Sequence, residues 1–100
     1  MAKQQGALRE KSRLFTGFPK HYKVIIYNDD FTPMEFVVKV LVEVFRKPAS
    51  EAQAIMLAVH HQGQMVVGLY SYDMAVSLVR RAIQLARDQG FPLRLAYEPE

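Results

Sequence analysis

Apolar and polar positions alternate along residues 21–100 in a way that divides them into six elements. From Tyr22 to Tyr27 the β-branched run Val24-Ile25-Ile26, flanked by tyrosines, predicts a buried strand. A helix is predicted from Pro33 to about Lys47, with Pro48 closing it. Thr32 stands at the N-cap position, Pro33 suits the first helical residue and Glu35 lies where a capping-box glutamate belongs. Ser50 and Gln53 form a second capping box and open a short helix that ends near Gln62-Gly63. Gln64 to Tyr70 reads as a strand, Ser71 caps a longer helix to about Gln89, and Gly90 follows it. Phe91 to Tyr97 alternates, with Leu93, Leu95 and Tyr97 on one face, and reads as the last strand. The order strand, helix, helix, strand, helix, strand predicts an α+β domain: a three-stranded, mainly antiparallel sheet with three helices packed on one face.

Two helices carry more than a core pattern. The first is apolar almost all round, and its polar stripe is confined to Glu35, Lys39, Glu43 and Arg46. Either it is the central, doubly packed helix of a small domain, or part of its surface lines a cleft or meets a partner. In the second helix Met56 and His60 are four residues apart and share a face, next to the face of Ile55 and Val59. A buried imidazole needs partners for both nitrogens, so a Met–His face points toward a polar site.

Composition limits the answer. Half of the 100 residues are apolar, which is enough for one compact domain. The absence of cysteine excludes disulfides and thiolate chemistry and fits a reducing cytoplasm. No apolar run is long enough to span a bilayer, and no signal-peptide pattern is present, so the chain reads as soluble and cytoplasmic. The net charge of +3 is unevenly spread. Residues 1–23 hold six basic side chains against one acidic, and residues 24–100 hold seven against nine. The basicity therefore belongs to an N-terminal extension, residues 1–20, read as flexible, ahead of a folded core at 21–100. That distribution does not describe a nucleic-acid surface.

The candidate chemistry lies where the first strand meets the first helix. Capping accounts for Thr32, Pro33 and Glu35 but leaves Asn28, Asp29 and Asp30 unexplained at the positive end of a helix dipole. If the Met56–His60 face looks toward this junction, His60 meets Asn28, Asp29 or Asp30, and Met34 approaches Met56. The result is an apolar pocket lined by thioethers, with a rim of amide, carboxylate and imidazole. Such a site suits a protonated amine beside a bulky apolar group, as at the N-terminus of a polypeptide starting with Phe, Tyr, Trp or Leu. The α-amino group, with a pKa of roughly 8, is largely charged at neutral pH. Asn28 and a neutral His60 accept from it while an aspartate supplies countercharge.

The stretch Tyr22-Lys23-Val24-Ile25-Ile26-Tyr27-Asn28-Asp29-Asp30-Phe31-Thr32-Pro33-Met34-Glu35-Phe36 resembles the opening of the ClpS family of N-degron adaptors. Met56-Leu57-Ala58-Val59-His60-His61-Gln62-Gly63 resembles that family's second signature, and the likeness runs from about residue 20 to residue 97. The resemblance implies a monomeric, non-catalytic adaptor, without metal or cofactor. It would deliver proteins with N-terminal Phe, Tyr, Trp or Leu to the AAA+ unfoldase ClpA of the ClpAP protease. It implies that Asn28, Asp30 and His60 bind the α-amino group with Asp29 close by. Ile26, Tyr27, Thr32, Met34, Val37, Met56, Val59 and Leu93 would enclose the side chain. The extension and the third helix would serve the unfoldase. On that helix Asp73 keeps the family's acid, whereas Leu78 stands where a lysine is common and, with Met74 and Leu85, makes a second apolar stripe.

Rival chemistries are less well supplied. His60 and His61 are adjacent on a helix and diverge by about 100°, so they do not readily chelate one ion, although His60 with Asp29 and Asp30 forms a conceivable ligand set. Asp30 and His60 lack an activated nucleophile to complete a hydrolase triad. A plain helix-docking module is the third alternative, and N-acetylation of the ligand separates it from an amine reader.

Overall fold

The structure, a computed structural model, describes residues 19–100. The basic extension read from the sequence lies almost wholly outside the described residues. The elements are β1 (Tyr22–Tyr27), α1 (Met34–Glu43), α2 (Ala49–Gln62), β2 (Gln64–Tyr70), α3 (Tyr72–Asp88) and β3 (Arg94–Pro99). They form one antiparallel sheet in the order β2-β1-β3, with the helices on one face. The predicted α+β class and element order hold. Among the described residues no helix is long and apolar enough to cross a membrane.

β1 is central because it is the most apolar strand. Val24 and Ile26 point at the helices with no exposed surface, and Ile25, on the other face, lies between Val66 and Ala96. The β1–β2 register shifts between Val24 and Ile25, which leaves Val67 as an extra residue and turns it into the core. Gly68 beside it accommodates Tyr70: a Cβ there would meet the tyrosine hydroxyl at 3.0 Å.

α1 resolves the question left open by its composition. Phe36, Val37, Val40 and Leu41 are buried, Val38 and Val42 half-buried, and Met34 is the exposed apolar side chain. The core takes up most of its apolar surface, and one thioether is left over at its start. Its boundaries differ from those expected. Thr32 does not cap it; Pro33 holds the N-cap position without a side-chain cap, and the Pro33 carbonyl accepts from the amides of Phe36 and Val37. The C-terminus falls at Glu43 rather than Lys47. Arg46 adopts a left-handed conformation (φ 59°) and the Lys47 amide returns to the Leu41 carbonyl at 3.0 Å. Pro48, freed by that turn, becomes the N-cap of α2 in place of the expected Ser50–Gln53 box.

α3 begins as predicted, with Ser71 Oγ accepting from the Met74 amide. Its inward stripe is Ala75, Leu78, Val79, Ala82 and Ala86, spaced i, i+3, i+4, i+7 and i+11. Leu78 therefore belongs to the core, at 7% exposure, and does not present a docking surface. Asp73 is exposed in the first turn. The last strand starts at Arg94 instead of Phe91, because the Phe91 amide bonds back to Ala86 and closes the end of α3.

A junction of strand end, turn and helix end

The candidate site forms where β1 runs out. The Asn28 amide donates to the Gly63 carbonyl at 2.8 Å, one step beyond the Tyr27–Gln64 pair. Gly63, left-handed at φ 89°, ends α2 and donates to Val59 at 2.9 Å. This bond sets the last turn of α2, with exposed His60, against the end of β1. The adjacent His61 is also exposed, and its ring stands edge-on to that of His60 at 5.3 Å.

Asp29 builds the turn that follows. Its Oδ1 accepts from the amides of Phe31 (2.8 Å) and Thr32 (2.7 Å), and its Oδ2 from the Thr32 hydroxyl (2.8 Å). Thr32 is thus a donor to Asp29, and the predicted hydroxyl cap is replaced by an Asx-type turn. Partial burial works to raise the Asp29 pKa. The Thr32 hydroxyl, the two amides and the charge of Arg87 together outweigh it and hold the carboxyl below its ordinary value. Both oxygens serve the turn, so Asp29 shapes the rim, whereas Asn28 and Asp30 on either side of it are exposed.

The apolar residues separate into layers. Ile26, Val59 and Leu93 are almost completely buried. Val37 and Met56 keep a small exposed margin, Thr32 is half-buried and Met34 is exposed. Fully burying a large apolar side chain is worth about 1.5–3 kcal/mol, so Ile26, Val59 and Leu93 belong to the core itself. Tyr27 is not brought together with them. It alternates to the opposite sheet face from Ile26, and Arg94 covers its ring at 4.6 Å from the centroid. A shallow depression of about 300 Å³, lined by Val76, Val79, Arg80, Ile83, Gln84 and Tyr97, lies between α3 and β3 and shares no residue with this site.

Two residues outside the predicted set support the site. Arg87 donates to the carbonyls of Phe91 (2.8 Å) and Leu93 (2.9 Å), fixing the segment that delivers Leu93 to the core. Phe91 packs edge-on against Phe36 of α1 at 4.9 Å. An arginine in the last turn before Gly90 is a C-terminal capping signal, and it was available in the sequence.

A sequence model of the family described as ATP-dependent Clp protease adaptor protein ClpS matches residues 18–96. The ATP-dependent Clp protease adapter protein ClpS of Deinococcus radiodurans is 45% identical over 96 residues, covering 96% of this chain and 85% of the relative. That of Acetivibrio thermocellus is 50% identical over 82 residues, covering 82% and 83%. Among solved structures, Agrobacterium tumefaciens ClpS2 bound to L-phenylalaninamide superposes with a TM-score of 0.79 at 41% identity. That match covers 83% of this chain and all of the neighbour. The central strand, the acidic turn and the Met56–His60 helix end thus belong to a member of the ClpS family of Clp protease adaptor proteins.

Proposed function

We propose that this adaptor holds polypeptides by their first residue, reading a free α-amino group together with a Phe, Tyr, Trp or Leu side chain, and passes them to the unfoldase ClpA for degradation by ClpAP. One observation carries the reading. The Agrobacterium relative holds L-phenylalaninamide, a free amine on a carbon that bears a benzyl group. In this chain the Asn28–Gly63 bond joins the end of β1, which carries Asn28 and leads to Asp30, to the end of α2, whose last turn carries exposed His60, and this supports the reading.

The roles follow from donor and acceptor capacity. A protonated amine has three N–H groups and no acceptor. Asn28 Oδ1 and a neutral His60 ring nitrogen each accept one, and Asp30 accepts the third while supplying the countercharge. Asp29 holds the turn so that Asp30 faces outward. The first side chain enters between Met34 and Met56, whose flexible thioethers adapt to aromatic and branched shapes, with Thr32 and Val37 beside them and Ile26, Val59 and Leu93 beneath. No covalent step is needed; the adaptor binds and releases. For delivery, exposed Asp73 at the start of α3 and the basic residues 1–20 are the proposed contacts with ClpA.

The test is a fluorescence-anisotropy titration with peptides that differ only in the first residue, alongside an N-acetylated Phe peptide. Tight binding of the four bulky residues and loss of binding on acetylation is the expected result. Equal affinity for the acetylated peptide would sink the amine site.

A further inference from the structure

The turn that carries the proposed amine groups also holds an aromatic ring in water. Phe31 is 77% exposed, more than any other large apolar side chain among the described residues. Its main chain is held in place. The Phe31 amide and the next amide both donate to Asp29 Oδ1, and the Thr32 hydroxyl holds the other oxygen. The main chain thus fixes where the ring leaves the turn, close in the chain to Met34, itself 43% exposed. Apolar surface that a fold keeps exposed on an anchored turn is surface that a partner can cover.

The sheet restricts which part of a partner reaches it. β1 is paired on both sides, with β2 and β3, up to Tyr27, and the Asn28 amide is already taken by Gly63. A polypeptide whose amine sits at Asn28, Asp30 and His60 cannot continue as an added strand along β1. With its first side chain directed inward past Met34, its second residue lies outside the pocket, over the turn of residues 29–32.

We infer that Phe31 is a specificity-determining residue, whose ring packs against the side chain of the second residue of the bound polypeptide. This inference rests on the amine-site reading above. The site then favours apolar or aromatic second residues over glycine. It disfavours aspartate or glutamate there, because Asp29 and Asp30 immediately precede Phe31 and carry charge of the same sign.

The test uses free-amine peptides beginning Phe-Gly, Phe-Leu, Phe-Trp and Phe-Asp, otherwise identical, titrated into the full chain, Phe31→Ala and Leu69→Ala. Leu69, also about half exposed, lies on the outer face of β2 and serves as the control. The original protein should bind Phe-Leu and Phe-Trp about three- to tenfold more tightly than Phe-Gly, the span of a single apolar or aromatic contact. In Phe31→Ala that preference should collapse while Phe-Gly affinity is retained; Leu69→Ala should keep both. A second-residue preference that survives Phe31→Ala, or a uniform loss across all four peptides, overturns the inference and leaves the amine site standing. Equal binding of the N-acetylated Phe-Leu peptide by the original protein removes the amine site, and this inference with it.

Discussion

Asp29→Ala separates architecture from ligand contact at the acidic junction. The substitution removes the acceptor for three hydrogen bonds, all within a few residues of the proposed amine site. A net hydrogen bond contributes about 0.5–1.5 kcal/mol, and losing a helix-capping acceptor typically costs about 0.5–2 kcal/mol. The turn is partly exposed, and water recovers some of what the three donors lose, so we expect a total near 2 kcal/mol rather than the full sum. For a domain of this size 1 kcal/mol moves Tm by about 4–8 °C, so the variant should melt roughly 10 °C lower. Asp29→Asn keeps one acceptor oxygen and loses the charge, and should fall between. The pH dependence has a defined sign. Asp29 is held below its ordinary pKa in the folded state, so its contribution is complete above the unfolded value of about 4 and is lost as pH falls through the lower folded value. The gap in Tm between the original protein and Asp29→Ala should therefore be constant from pH 7 to about 5 and close on further acidification. Thermal unfolding followed by circular dichroism across that range reads it. A variant that melts within about 1 °C of the original, yet loses peptide affinity as fully as Asp30→Ala, would refute the reasoning. Asp29 would then be a ligand group and not a strut.

Asp30→Ala and His60→Ala should each weaken a Phe-initiated peptide by about 1.5–3 kcal/mol, roughly ten- to a hundredfold in Kd by anisotropy, with Tm nearly unchanged because both side chains are exposed. Raising the pH past the peptide amine's pKa of about 8 should loosen binding in the original protein; a flat profile from pH 7 to 10 would contradict charge recognition. Met34→Phe, enlarging the one exposed thioether at the mouth, should reorder affinities among Phe, Trp and Leu peptides while leaving the acetylation penalty intact. Arg87→Ala frees the carbonyls of Phe91 and Leu93, and should cost about 1–3 kcal/mol in urea unfolding.

How far the sequence discloses this molecule depends on which physical signal each feature leaves. β1 and the inward faces of the helices are legible because burial imposes a period, and Val24, Ile26, Ala75 and Ala82 fall in the core as their spacing requires. Gly63 and Ser71 were legible because a glycine C-cap and a serine N-cap each have one dominant structural use. The end of α1 was not, because Arg46 takes a left-handed conformation that sequence rules reserve for glycine or asparagine, and no residue type announced it. The start of α1 was misread because Thr32 has a hydroxyl that can accept or donate. Asp29, three residues earlier, is the stronger acceptor and captures it. Leu78 went astray by comparison with a lysine position, although its own spacing from Ala75 and Ala82 places it inward. Tyr27 joins Ile26 in the set that the family resemblance implies, and strand alternation separates them. In the site, the polar groups were legible as an excess over what capping needs. Arg87 is legible as a basic residue in the last turn of a helix, but its bonds to the carbonyls of Phe91 and Leu93 are not, because they reach past the helix end.

The bond between Asn28 and Gly63 joins main chain to main chain, and that bears on how this adaptor can change over generations. No side-chain replacement at position 28 deletes the donor, short of proline, and none at position 63 deletes the acceptor. The walls of the site can therefore drift in size and shape, altering which first residues are preferred, while the frame that aligns strand end and helix end persists. Gly63 is the exception, since any other residue must adopt its positive φ at a cost of about 1 kcal/mol. The main-chain frame is thus buffered against point mutation, whereas the exposed side chains of Asp30 and His60 that it carries are not.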